Sequence, residues 1–225
     1  MNNPDFQSLV DYAALTCLEH QLHLDEAIGE LDWWLDLNRG VIQFAPEREA
    51  PIEITAQLLG TAAEGPGTWM WAWNNVNGFP DHVLRAANAV RRKGEAIAEL
   101  KTAEIPLQAD LPLRLTLAAM ALTDGWTYYS APANPSTRAW LLLSGPRTVL
   151  PEPSVTRVVR VITEGIASMP LADHAHAVLG YARHREIRHA QADGEVRLDL
   201  PDGAATVVFD RYRRVVNINA EAGGS

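Results

Sequence analysis

Cysteine is nearly absent from this chain: the 225 residues include only one, Cys17. An internal disulfide is therefore excluded. Cys17 follows Phe6, Val10 and Ala13 along one face of a helical pattern. We interpret it as a small buried apolar residue, because no neighbouring base suggests the alternative, a catalytic thiol.

Long apolar runs are missing as well. Nowhere do about 18 apolar residues follow one another, and the N-terminal segment has neither a basic start nor an uninterrupted apolar stretch. We therefore expect neither a membrane span nor a secretory signal, and we predict a cytoplasmic protein. With 47% hydrophobic and 21% charged residues, the composition is typical of a globular protein, and it leaves the oligomeric state open.

The motifs of common enzyme classes do not occur. There is no GxSxG elbow, no P-loop and no GxGxxG, and no coherent set of nucleophile, base and orienting residue. We predict a non-enzymatic protein without catalytic residues or a cofactor, although the many carboxylates leave acid–base catalysis open. Asp32 and Asp36 would share a strand face about 13 Å apart, which is too far for a close carboxylate dyad.

The histidines do not form a convincing metal site. The densest cluster contains Asp173, His174, His176, His184 and His189. On a helix, His174 and His176 would point about 200° apart, while His176 and His184 would lie about 12 Å apart. We therefore predict no bound metal and interpret this segment as a solvated helix face.

Basic residues are scarce between positions 19 and 64, where Arg39 and Arg48 stand against ten acids. The acids are Glu19, Asp25, Glu26, Glu30, Asp32, Asp36, Glu47, Glu49, Glu53 and Glu64. Such a region repels phosphate backbones, which disfavours nucleic acid, and it accelerates encounter with a basic protein. The alternative is a solvated face that maintains solubility.

Alternating apolar positions predict an α+β protein with an antiparallel sheet. An amphipathic helix over about 4–23 is followed by a hairpin over 31–46, a strand over 52–61 and the strand TWMWAW. The hairpin has its turn at Asn38-Arg39-Gly40, with Leu31, Trp33, Leu35 and Leu37 on one face and Asp32, Trp34 and Asp36 on the other. A helix over 81–100, capped by Asp81 and interrupted near Gly94, precedes a helix over 111–125 and strands at 126–132 and 138–145. Because the first strands follow one another as a meander, we expect antiparallel pairing with helices packed on the sheet.

A proline-containing segment at 148–154 predicts a boundary between a domain over 1–150 and a smaller C-terminal unit over 151–225. The two could also pack as one domain. In the second unit, Ser154 caps an amphipathic helix, a shorter helix follows around 171–184, and three strands close the chain. The role of this unit is open.

Tryptophan is concentrated at Trp69, Trp71 and Trp73, at every second position of one strand. These side chains, with Trp34 of the hairpin, allow three interpretations: a buried core, a stacking platform, or an apolar pocket for a small ligand. Met70 and Ala72 on the opposite face indicate a strand covered on both sides, which favours the core.

Several of these segments resemble a family of bacterial domains of unknown function. The resemblance is carried by WLDLNRGVIQF at 34–44, LLGT at 58–61, TWMWAWNN at 68–75, a Tyr-Tyr pair and RAWLLLSG, and it covers about residues 5–145. It implies a cytoplasmic α+β domain, and small domains of this kind are often suspected of acting as immunity or interaction proteins.

We therefore predict a binding protein, plausibly of the immunity type, that neutralises a basic toxin or effector through an acidic surface. The residues assigned to that surface are Asp32, Asp36, Glu47, Glu49 and Glu53. The alternative function is a small-molecule-binding domain or an uncharacterised enzyme whose pocket is lined by the Trp strand.

Overall fold

The computed structural model describes residues 5–46, 49–123 and 125–223. Within them the chain forms two compact units. The first comprises residues 5–6 and 20–149, and the second comprises residues 7–19 and 150–223. One helix, α1 (Phe6–Ile28), contributes to both, so part of the N-terminal helix that sequence analysis placed in a 1–150 domain belongs to the second unit.

The first unit is built on an antiparallel sheet of seven strands. They are β1 (Asp32–Asp36), β2 (Val41–Ala45), β3 (Ile52–Ala63), β4 (Thr68–Trp71), β5 (Glu104–Pro106), β6 (Thr127–Asn134) and β7 (Thr137–Ser144). Each of the strands β1 to β4 pairs with the next strand along the chain, and the β6–β7 hairpin joins the sheet through β7 and β3. The predicted α+β class and the antiparallel meander are confirmed.

Strand β3 is long enough to organise the whole sheet. Its first part pairs with β2, its last part pairs with β4, and its other edge pairs with β7 from Thr55 to Ala63. Ile54, Ala56 and Leu58 project from it into the hydrophobic core, where they meet apolar residues of β2 and β7. Leu24 and Ile28 of α1 complete this core.

The β1–β2 hairpin follows from its turn chemistry. One carboxylate oxygen of Asp36 accepts hydrogen bonds from the amides of Asn38 and Arg39, and Gly40 adopts a left-handed φ of 69°. Glycine tolerates that conformation without strain. The predicted core face of this hairpin is confirmed, since Leu31, Trp33, Leu35 and Leu37 pack against the core.

The two helical segments predicted for this part of the chain, 81–100 and 111–125, correspond to three helices. They are α2 (Arg85–Lys93), α3 (Ala98–Lys101) and α4 (Leu111–Leu122). Gly94 follows the last residue of α2 and separates it from α3 as predicted. A side chain does not fit at this position, because a Cβ would lie 2.5 Å from the Leu100 side chain. The prediction that Asp81 caps the helix is wrong: a 3₁₀ turn starts at Asp81, and the Gln57 side chain accepts a hydrogen bond from Ala86 N–H instead.

The second unit contains a four-stranded antiparallel sheet and the helices α5 (Val155–Ser168) and α6 (His174–His184). Its strands are β8 (Arg188–Ala192), β9 (Glu195–Leu200), β10 (Gly203–Phe209) and β11 (Val215–Ala222), in the order β11-β10-β9-β8. The Ser154 cap is confirmed, since its side chain accepts a hydrogen bond from Arg157 N–H. The predicted helix around 171–184 corresponds to α6, but His189 lies beyond it on β8, which begins at Arg188. That strand lacks an alternating apolar pattern, which is why its sequence did not predict it.

Two buried carboxylates anchor the first part of α1 within the second unit. Asp11 is 2% exposed and accepts hydrogen bonds from the backbone amides of Ala172 and Asp173. Glu19 is 1% exposed and contacts the residues Tyr181, Arg185 and Arg157 at 2.8, 2.8 and 3.7 Å. Glu19 is therefore buried, although it is one of the ten acids of the acidic stretch between positions 19 and 64.

Candidate functional site

The face of the β1–β2–β3 ribbon that carries Trp34 also carries three of the five predicted acidic residues, Asp32, Asp36 and Glu53. Residues directly opposite each other in antiparallel strands project to the same side of a sheet. The register pairs Trp34 with Gln43, and Gln43 with Glu53, so these three side chains form one row across the ribbon. Asp32 and Asp36 flank Trp34 along β1, two residues away on either side. We call Asp32, Trp34, Asp36, Gln43 and Glu53 the acidic strand face.

Trp34 is the most prominent residue of this face. It is 51% exposed, whereas Trp33 points to the opposite side, packs against the core and meets the Tyr129 ring edge-on at 5.8 Å. Strand β1 pairs only with β2 among the described residues, so Trp34 stands on a strand at the border of the sheet. Tryptophan is enriched at protein–protein interfaces, so its exposure makes Trp34 the candidate contact residue of this face.

The carboxylates of the acidic strand face differ in how freely they carry charge. Asp36 is engaged in the turn through the amides of Asn38 and Arg39. Glu53 forms a salt bridge with Arg39 at 3.0 Å. Asp32 is exposed and has no ion pair within the described part of the chain. The uncompensated charge of the face is therefore concentrated at Asp32, next to Trp34.

Further acids precede the face along the chain. Asp25 and Glu26 lie in the last turn of α1, and Glu30 follows two residues after the helix ends; all three are exposed. The negative end of a helix dipole disfavours carboxylates, and this turn contains no basic residue. Glu49 lies later in the chain, in the connection between β2 and β3, and is exposed, while Glu47 is outside the described residues.

The Trp strand is part of the protein interior. Trp69 and Trp71 are both 0% exposed, with their rings edge-to-face at 5.4 Å. The Trp71 indole N–H donates a hydrogen bond to the Glu99 carbonyl at 2.9 Å. A cavity beside Trp71 has a volume of about 30 Å³, which is enough for a single water molecule but not for a ligand.

Trp73 does not share the face of the other two tryptophans. The predicted alternation stops because β4 ends at Trp71 and a 3₁₀ turn covers Ala72–Asn74. Asn75 then adopts a left-handed φ of 43°, which ends the turn. Trp73 is half-buried, and the Arg91 guanidinium lies 4.5 Å from its ring centre, as a cation–π contact requires.

Gly60 explains why two separated sequence motifs belong together. The segment LLGT lies on β3, and Gly60 pairs with Trp71 on one side and Trp140 on the other. A Cβ on Gly60 would lie only 2.3 Å from Cζ2 of Trp69. The Trp69 indole therefore occupies the space that the missing side chain leaves, and the glycine and the TWMW strand form one packing unit.

The described residues do not assemble a metal-binding group. No cluster of three or more His, Cys, Asp or Glu side chains could hold a metal ion there. The Cys17 thiol is buried, and burial raises its pKa well above the usual range, which suppresses the reactive thiolate. No helix in the described part of the chain is long and apolar enough to cross a membrane.

Comparison with known proteins agrees with the resemblance of the Trp strand and its neighbours. The model of a family of unknown function, DUF6882, matches residues 7–146. Because that match covers more than half of the chain, the protein belongs to this family. No curated protein and no solved structure matches the chain. The matched region includes the whole acidic strand face, whereas α5, α6 and the second sheet lie beyond it.

Proposed function

We propose that this protein is a non-enzymatic binding protein of the immunity type, and that its acidic strand face occludes a basic protein partner such as a toxin or effector. The observation that carries the proposal is the exposure of Trp34 between two carboxylates on a border strand. Tryptophan is enriched among the residues that contribute most of the binding energy at protein interfaces.

In this arrangement, different residues would contribute to the affinity for the partner and to the rate of association with it. Trp34 would supply affinity: covering its exposed half removes on the order of 100 Å² from water, which contributes about 2.5 kcal/mol. Asp32, Glu49 and the exposed acids Asp25, Glu26 and Glu30 supply a negative field that attracts a basic surface. Since Arg39 and Glu53 already compensate each other, they would form part of the neutral rim.

The border position of β1 adds a second mode of contact. A strand that pairs on one side only presents backbone N–H and C=O groups to a partner, and charged residues such as Asp32 and Asp36 normally protect such an edge from self-association. A basic partner would tolerate these charges, whereas a second acidic chain would not. The same carboxylates would therefore prevent self-association of the free protein and favour a basic partner over an acidic one.

The test is a calorimetric titration of the protein with the purified product of the adjacent gene, over a range of salt concentrations. Replacing Trp34 with Ala is expected to weaken binding about tenfold to a hundredfold, because the anchor is lost. Asp32→Lys should reduce the affinity for the partner, and the reduction should be larger at low salt than at high salt. Glu64→Lys is the matched control, since this exposed acid lies beyond the opposite end of β3 and changes the net charge equally.

Equal losses in Asp32→Lys and Glu64→Lys would show that only the total charge matters and would refute the proposed face. Unchanged affinity in Trp34→Ala would remove its anchor. The same titration followed by tryptophan fluorescence gives an independent readout, because covering Trp34 should shift emission to shorter wavelength in the parent protein and not in Trp34→Ala.

A further inference from the structure

The second unit contains an open cleft that the acidic strand face does not explain. It lies where α6, the β8–β9 turn and the start of the β10–β11 turn come together, and its volume is about 320 Å³. The floor is apolar and consists of Ala175, Leu179, Val196 and Phe209. A cleft of this volume is at the lower end of the range of small-molecule sites.

The β10–β11 turn at the rim is held in one conformation before any ligand arrives. One oxygen of Asp210 accepts hydrogen bonds from the amides of Tyr212 and Arg214 at 2.8 and 2.9 Å, and the other accepts two from the Arg214 guanidinium. These bonds lower the pKa of the Asp210 carboxyl. Arg213 adopts a left-handed φ of 63° and binds Asp173 at 2.6 Å. The rim is therefore preorganised, which reduces the entropy lost on binding.

Four of the charges around the cleft are already compensated within the protein. Arg214 pairs with Asp210, and Arg213 pairs with Asp173. Two opposite charges of the lining remain, Arg211 and Glu195, and neither forms an ion pair with another described residue. The Arg211 guanidinium donates a hydrogen bond to the Tyr212 hydroxyl at 2.7 Å and lies over that ring at 4.7 Å, so its position is restrained while its charge stays exposed.

We propose that this cleft binds a small apolar zwitterion, the chemistry of an apolar amino acid or a short apolar peptide. Arg211 receives the carboxylate, Glu195 receives the ammonium group, and the apolar side chain lies on Phe209 and Leu179. A singly charged ligand fits less well, because it would leave one of the two rim charges facing a ligand with no complementary group.

The β8–β9 turn is fixed relative to the floor of the cleft. The Gly194 carbonyl accepts a hydrogen bond from Phe209 N–H at 2.7 Å, and Glu195 follows directly in the register opposite Val208. The two hairpin ends that carry Glu195 and Arg211 are thus joined by a backbone hydrogen bond. This connection keeps the β8–β9 and β10–β11 turns at the same end of the sheet.

The experiment is an NMR titration of the full-length protein with three isosteric probes. L-Leucine carries both charges, 4-methylpentanoate lacks the ammonium group, and 3-methylbutylamine lacks the carboxylate. The dipeptide Ala-Leu distinguishes a peptide ligand from a free amino acid. Leucine or Ala-Leu is expected to bind with shifts at Leu179 and Phe209, and each singly charged probe should bind at least about tenfold more weakly.

Matched variants separate the cleft from a general surface effect. Arg211→Gln and Glu195→Gln should each weaken zwitterion binding about tenfold or more. Arg211→Gln should leave the affinity for 3-methylbutylamine unchanged, since that probe has no carboxylate, and Glu195→Gln should leave the affinity for 4-methylpentanoate unchanged, since that probe has no ammonium group. Arg197→Gln is the control, because Arg197 lies on the same sheet and pairs with Asp199 and Glu221 away from the cleft. No saturable shift with either zwitterion, equal binding of the singly charged probes, or equal loss in the control would overturn the proposal.

Discussion

A single methyl group at position 60 should disturb the core of the first unit. In Gly60→Ala the new Cβ would lie 2.3 Å from Cζ2 and 2.7 Å from Cε2 of Trp69, and 2.8 Å from the Met70 carbonyl oxygen. Carbon atoms in contact prefer about 3.5–4.0 Å, so the indole or the strand has to move by more than 1 Å. Trp69 is 0% exposed and contacts the rings of Trp71 and Trp140, so it has no free space to move into.

The expected loss of unfolding free energy is about 2–4 kcal/mol. Overpacking a dense core typically costs about 1–3 kcal/mol, and a backbone oxygen as one of the clashing atoms raises that figure because it cannot rotate away. In a strand without this clash, replacing glycine with alanine would instead stabilise by up to about 1 kcal/mol. The predicted sign is therefore opposite to the ordinary effect of the substitution.

Denaturant unfolding followed by tryptophan fluorescence measures this change in the first unit alone. All seven tryptophans, at positions 33, 34, 69, 71, 73, 126 and 140, belong to that unit. Gly65→Ala is the matched control, because a Cβ at that exposed position meets no atom within 4 Å. If Gly60→Ala unfolds at the same or a higher denaturant concentration than Gly65→Ala, the proposed packing of the glycine against Trp69 is refuted.

Three further predictions concern the second unit and the helix that enters it. Glu19→Gln should destabilise this unit by about 3–5 kcal/mol, because it removes a buried charge that faces two arginines. Unfolding followed by far-UV circular dichroism measures this loss of stability, and the exposed control Glu30→Gln should have little effect. Burial lowers the pKa of His184 below its ordinary 6.5. As the pH falls, the unfolded chain therefore takes up a proton at this histidine before the folded protein does. The free energy of unfolding should decrease below about pH 6.5 and level off below the folded pKa, and this contribution should be lost in His184→Gln. Cys17 should react with a thiol reagent only as fast as the chain opens around it, and rapid labelling of the folded protein would contradict its burial.

Local turn chemistry and alternation were sufficient to predict most elements of the first unit. The Asp36–Gly40 turn, the apolar face with Trp33 and Leu35, and the break at Gly94 all depend on neighbouring residues, and all are present. The alternation of tryptophans failed at Trp73, because a pattern of period two does not show where a strand ends.

Long-range contacts account for what the sequence did not reveal. Glu19 looks like one acid among ten, and only the fold brings it beside Tyr181 and Arg185, about 160 residues later in the chain. The cap of α2 by Gln57 is equally non-local. Of the candidate site, the shared face of Asp32, Trp34 and Asp36 followed from strand periodicity. The exposure of Trp34 depends on what packs over that side of β1, and this is a property of the whole fold.

The most direct test of the binding proposal is the salt dependence of the affinity for the adjacent gene product, measured for the parent protein, Asp32→Lys and Glu64→Lys between about 50 and 500 mM salt. The acidic strand face predicts that the parent loses affinity steeply with salt, that Asp32→Lys binds weakly and with a shallower slope, and that Glu64→Lys stays close to the parent. Identical slopes for all three proteins would contradict it.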